Sequence, residues 1–132
     1  GYRSVDFQQT LFDNKIAEIQ AEHPEYTYEE AYIEASTIVA IPGASEHNTG
    51  LTVDICAMDF QMLIEEYEET DEAKWLKENC YKYGFILRYP KGKEDITQII
   101  YEPWHFRYVG VEAATEIMTQ GITLEEYLGE VD

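Results

Sequence analysis

Ser45 to Asp54 reads S-E-H-N-T-G-L-T-V-D. His47 and Asp54 lie on either side of Gly50, and a glycine turn can fold a loop back so that two such side chains converge. Leu51 to Ala57 then alternates as a strand, with Leu51, Val53 and Ile55 on one face and Thr52, Asp54 and Cys56 on the other. Asp54 points away from the aliphatic row. Pro42-Gly43 breaks the preceding pattern and opens the loop that carries Ser45 and His47.

Upstream the chain is helical. Ser4 caps a helix to about Glu22, with Phe7, Leu11, Ile16 and Ile19 as its core face and His23-Pro24 at its end. Thr27-Tyr28-Glu29-Glu30 has the capping-box pattern, in which hydroxyl and carboxylate each satisfy a backbone amide, so a second helix runs from Tyr28 to about Ile38. Downstream, the acidic stretch Glu65 to Asp71 is a solvated surface, and Trp75, Leu76, Asn79 and Cys80 mark a third helix ending near Gly84. Phe85 to Tyr89 and Ile96 to Tyr101 read as strands joined by a hairpin at Pro90 to Lys93, and Trp104 to Val109 as another strand. Val111 to Gln120 is a helix stopped by Gly121, and Thr123 to Glu126 repeats the capping box before a last helical turn. Strands joined by short turns are antiparallel, so the fold class is α+β: a small central antiparallel sheet flanked by helices.

With 132 residues, 45% of them hydrophobic, the chain has the size of a single domain with one core. Its 9 basic against 27 acidic residues give a net charge of -18, which repels phosphate backbones and sets nucleic acid aside as a partner. No run approaches the roughly 20 apolar residues of a membrane-spanning helix. Cys56 and Cys80 are too few for a disulfide scaffold; one bridge or two free thiols remain open.

The chemistry sits in two segments. His47 and Asp54 form one; Glu102-Pro103-Trp104-His105 forms the other. Two imidazoles and a carboxylate, with one position open for water, are a ligand set that suits zinc. Glu102 and His105 are three apart and would fall on opposite faces of a regular strand, so a bend is required, and Pro103 supplies a reason for one. Glu102 reads as the proton acceptor for an attacking water, with a further ligand or a plain surface charge as alternatives. His23, before Pro24, reads as a helix-end residue. Arg88 either faces the cleft or is a solvent-exposed strand charge.

The first segment resembles the Ser-x-His-x-x-Gly-x-Ala-x-Asp signature of the VanY-type D-alanyl-D-alanine carboxypeptidases, and E-P-W-H-F-R-Y-V-G resembles the second zinc motif of that family. The opening G-Y-R-S-V-D-F-Q, the segment Y-G-F-I-L-R-Y-P-K-G-K and the ending L-E-E-Y-L are similar to it too. The resemblance implies a zinc peptidase that trims the C-terminal D-alanine of peptidoglycan stem peptides, on the fold shared with the Hedgehog signalling domain. By motif position it makes His47, Asp54 and His105 the zinc ligands and Glu102 the catalytic base. Arg3 would bind substrate and balance the oxyanion, and Gln8 and Ser45 would contact the substrate. It leaves open an L,D-carboxypeptidase, a D,D-dipeptidase, or a non-catalytic zinc-stabilised cell-wall-binding domain. A monomer outside the bacterial cytoplasm is implied. Thr52 stands where the pattern has alanine. Family domains carry further helix and strand before G-Y-R-S, so residues 1–132 are expected to be one peptidase domain lacking that N-terminal part.

Overall fold

A computed structural model describes residues 1–130. Its backbone contacts divide the chain into two compact units, residues 2–50 and residues 51 onward.

The first unit is a helical hairpin. α1 (Val5–Glu22) starts where the Ser4 hydroxyl accepts from the Phe7 amide, and α2 (Tyr28–Ile38) starts at Thr27, whose hydroxyl and the Glu30 carboxylate complete the capping box. Phe12, Ile16 and Ile19 pack on Ala31 and Ala35, where the two alanines let the helices approach closely. The core face of α1 departs from its expected phase at the first turns. Phe7 is 52% exposed and Gln8 is 1% exposed, because the Gln8 carboxamide is drawn inward to donate to the Ala40 carbonyl at 2.8 Å. A buried amide needs such a partner, and apolar spacing alone does not reveal one.

The second unit is built on a three-stranded antiparallel sheet ordered β1-β3-β2. β1 is Thr52–Asp54, β2 is Phe85–Leu87 and β3 is His105–Tyr108, at the centre. α3 (Asp71–Asn79) runs into a tighter turn, Cys80–Tyr83, that ends at Gly84 in the left-handed region, φ +84°. Leu87 and Phe106 meet Cys80, Leu76 and Tyr101 on one face of the sheet. Ile86 faces the other way, against Ala114 and Ile117 of α5 (Val111–Gln120) and Leu124 of α6 (Leu124–Leu128). Both cysteines are free; Cys56 is exposed, and burial pushes the Cys80 thiol up to about 11. No helix among the described residues is long and apolar enough to cross a membrane.

One expected strand is absent. Ile96 to Tyr101 does not pair with β2; Glu94–Thr97 forms a helical turn, α4, that ends on Gln98 with φ +60°. The Thr97 hydroxyl bonds locally to the Ile99 carbonyl and amide at 3.1 and 3.4 Å, a side-chain alternative to a ladder. The partner of β2 is β3, with Ile86 opposite Arg107 and Leu87 opposite Phe106. The strand expected from Leu51 to Ala57 is likewise shortened to Thr52–Asp54, although the Ile55 amide still donates to the Trp104 carbonyl at 2.8 Å.

Candidate metal centre

His47 lies in a tight turn, Glu46–Thr49, whose start is capped by the Ser45 hydroxyl accepting from the His47 amide at 3.3 Å. The turn ends on Gly50 at φ +75°, a conformation that costs L-residues with a Cβ. His47 is 3% exposed. Its carbonyl accepts from the Arg3 amide at 3.0 Å, and the Asn48 carboxamide donates to the Arg3 carbonyl at 2.7 Å. Arg3 is thereby anchored at its main chain from within its own unit. Its guanidinium approaches the Gln8 carboxamide oxygen at 3.5 Å. Gln8 and Ser45 are both buried and engaged with backbone groups.

Asp54 ends β1 directly opposite His105, the first residue of β3. The Ile55 amide donates to the Trp104 carbonyl just beyond this pair, and at the other end of the ladder the Tyr108 amide donates to the Leu51 carbonyl just beyond Thr52 and Arg107, both at 2.8 Å. Asp54 and His105 thus form one of the narrow pairs of the antiparallel ladder, where side chains stand closest. Asp54 Oδ1 lies 3.3 Å from His105 Nδ1.

Glu102 reaches the same nitrogen by another route. The His105 amide donates to the Glu102 carbonyl at 3.2 Å, closing a four-residue β-turn with Pro103 at its second position, where a fixed φ favours such a turn. The turn resolves the parity conflict of three-residue spacing, because Glu102 is not on the strand at all. Its Oε2 lies 3.4 Å from His105 Nδ1, with only 8% of the residue exposed.

His47, Asp54 and His105 are residues that could hold a metal ion. This donor set fits a zinc-like ion: two imidazoles and one carboxylate. Two carboxylates held close to one imidazole nitrogen repel each other when ionised, and a bound cation relieves that cost.

Residues 1–111 match the sequence profile of VanY, D-alanyl-D-alanine carboxypeptidase. The chain belongs to the VanY family. A D-alanyl-D-alanine carboxypeptidase of Enterococcus faecalis is 50% identical over 97% of this chain and 45% of its own length, so the chain spans less than half of that relative. A mutant of the vancomycin-resistance D,D-pentapeptidase VanY, solved with Zn(II), superposes with a TM-score of 0.83 at 49% identity, covering 97% of this chain and 68% of that one. VanYB in complex with D-alanine-D-alanine gives 0.86 at 48% identity, covering 100% and 69%. The LD-carboxypeptidase LdcB gives 0.82 at 46% identity, covering 100% and 57%.

Two features of this VanY-family site were not legible from motifs. The Tyr89 ring packs against the His105 ring with centroids 4.7 Å apart, and its carbonyl accepts from the Glu102 amide at 3.2 Å. Arg88, one of whose readings was an exposed strand charge, is turned inward and ion-paired with Glu125.

Proposed function

We propose that this chain is a zinc-dependent D,D-carboxypeptidase domain that removes the C-terminal D-alanine of peptidoglycan stem peptides, working as a monomer outside the cytoplasm. The observation that carries the reading is the donor set of His47, Asp54 and His105, with Glu102 held beside His105 in one turn. Zinc, when bound by those three ligands, lowers the pKa of a water toward ~7 and polarises a carbonyl oxygen.

The remaining work falls to the chain's own side chains. Glu102 Oε2 takes the proton from the attacking water and passes it to the leaving amine. Its burial in a short turn keeps that oxygen aimed rather than solvated. The Arg3 guanidinium offers planar, charged donors to the oxyanion that forms on the scissile carbonyl. Gln8, itself fixed by the Ala40 carbonyl, steadies that guanidinium, and Ser45 supports the turn that presents His47 and would contact the substrate carboxylate. The similarity to an LD-carboxypeptidase supports a second reading, cleavage of an L,D bond on the same site.

The test is release of amino acid from defined stem pentapeptides, stem tetrapeptides and D-Ala-D-Ala, each with zinc-loaded protein and its Glu102→Gln variant. D-alanine released from the pentapeptide only, and lost in the variant with zinc retained, is the expected result. Release from the tetrapeptide alone moves the reading to the L,D bond. A variant with wild-type turnover overturns the role of Glu102.

A further inference from the structure

Because β3 is central, the ligand His105 has a neighbour on each side. On one side stands Asp54. On the other, the Arg88 amide donates to the His105 carbonyl at 3.2 Å, which extends the β2–β3 register one step past Leu87 opposite Phe106. Arg88 therefore faces His105 across the ladder, and directly opposed residues share a sheet face. A guanidinium next to a metal ligand would oppose binding of a cation if it were free to point there. Instead it forks onto Glu125 of α6, with Nη1 to Oε2 at 2.9 Å and Nη2 to Oε1 at 2.5 Å. Both side chains are largely enclosed, at 11% and 16% exposure.

The fork also fixes what lies between. The Arg88 guanidinium carbon is 4.9 Å from the centre of the Tyr89 ring, and that ring is 4.7 Å from the imidazole of His105. Carboxylate, guanidinium, phenol ring and imidazole thus follow one another in contact, from α6 to the candidate metal centre. We propose that Glu125 is a positioning residue for His105: by holding the Arg88 guanidinium over Tyr89, it keeps the Tyr89 ring against the imidazole and the Arg88 charge away from the ion. α6 lies beyond the residues 1–111 that match the family profile, so the site draws support from outside that span.

A plain staple fastening α6 is the competing account, and the protein contains a built-in control. Lys93 also ties α6 down, bonding Glu126 at 3.1 and 3.2 Å. No contact links that pair to Tyr89 among those described.

The inference rests on His105 being a metal ligand, and the experiment separates the two claims. Cobalt(II) is titrated into metal-free protein against a chelator, recording affinity and the visible spectrum for wild type, Glu125→Ala, Glu125→Gln and Lys93→Ala. Glu125→Ala should weaken cobalt binding about tenfold or more, the usual scale for groups that orient a ligand, and change the spectrum. Glu125→Gln, which keeps the shape and part of the hydrogen bonding, should shift both in the same direction by less, and carries the test if the alanine variant does not fold. Lys93→Ala should lower the thermal midpoint with affinity and spectrum unchanged. Folded Glu125 variants with wild-type affinity and spectrum overturn the proposal, as does a Lys93→Ala loss equal to that of Glu125→Ala. Wild-type protein that takes up no cobalt overturns the metal centre itself.

Discussion

Gly50 and Gly84 offer a matched pair of perturbations. Both have positive φ, +75° and +84°, so alanine at either pays the left-handed backbone penalty of about 1–2 kcal/mol. Their surroundings differ. A Cβ at Gly50 meets nothing within 4 Å, whereas at Gly84 it falls 2.6 Å from Tyr108 Cε2 and 3.3 Å from the Gly110 carbonyl carbon. Tyr108 is 44% exposed and its ring can swing outward, but that breaks its edge-on pair with Phe85, centroids 5.4 Å apart, a contact worth about 0.5–1.5 kcal/mol. Gly50→Ala should therefore cost about 1 kcal/mol after the stiffer unfolded chain is counted. Gly84→Ala should cost about 1.5–2.5 kcal/mol, the same net backbone cost and the lost ring pair together. Urea unfolding of chelator-treated protein measures both without a metal-linkage contribution. Repeating Gly84→Ala in a Tyr108→Ala background should remove most of the excess. Equal costs at the two glycines, or an excess that survives the loss of Tyr108, would refute the reasoning.

Further outcomes follow from other sites. Arg3→Ala should lower kcat by about 10²- to 10³-fold with the thermal midpoint little changed, and Arg3→Lys should recover only part, because a lysine cannot present a planar fork; wild-type kinetics for Arg3→Ala would remove Arg3 from the mechanism. Phe106→Ala, at a position 1% exposed on the central strand, should cost about 3–5 kcal/mol in urea unfolding. The carboxyls of Glu30 and Glu126 are held below the ordinary 4.5 of a glutamate, each first by a backbone amide of its capping box, Thr27 and Thr123, and that of Glu68 by the Lys91 ammonium and then the Tyr101 hydroxyl. Their folded pKa values lie below the unfolded ones, so their stabilisation is present in full above that range and is lost as pH falls through it. The thermal midpoint should stay level from neutral pH to about 5 and then drop, with a shallower drop in Glu126→Gln. Removing the metal should lower the midpoint of the loaded protein, and an unchanged midpoint would contradict binding to the folded state alone.

The legible parts of the fold are those whose signals are local. Ser4, Thr27 and Thr123 fix helix starts because a hydroxyl three residues ahead of an amide is a short-range device, and Gly121 fixes a helix end in the same way. What escaped depends on partners distant in sequence. Gln8 is buried because Ala40, 32 residues on, supplies a carbonyl, and Arg88 is enclosed because Glu125 lies 37 residues on. Ile96 to Tyr101 alternates like a strand, yet Gln98 takes the left-handed conformation, a choice no alternation pattern encodes. At the site, the residue types and their two segments were readable, and Asp54 and His105 stand opposite each other in one ladder. The turn at Pro103 was foreseen as a bend; that it leaves Glu102 off the strand was not.

Each strand of the sheet is only three or four residues long, and so short a ladder holds its alignment weakly. Asp54 and His105 are opposed in that ladder. A slip of one residue would carry one of them to the far face and leave an ion with a ligand on each side of the sheet. With an ion held by those two residues, its affinity would discriminate between alignments of the chain with itself, and chelation during refolding would allow misaligned forms that the ion otherwise eliminates. The ion would then serve as a proofreader of assembly before it serves any chemistry.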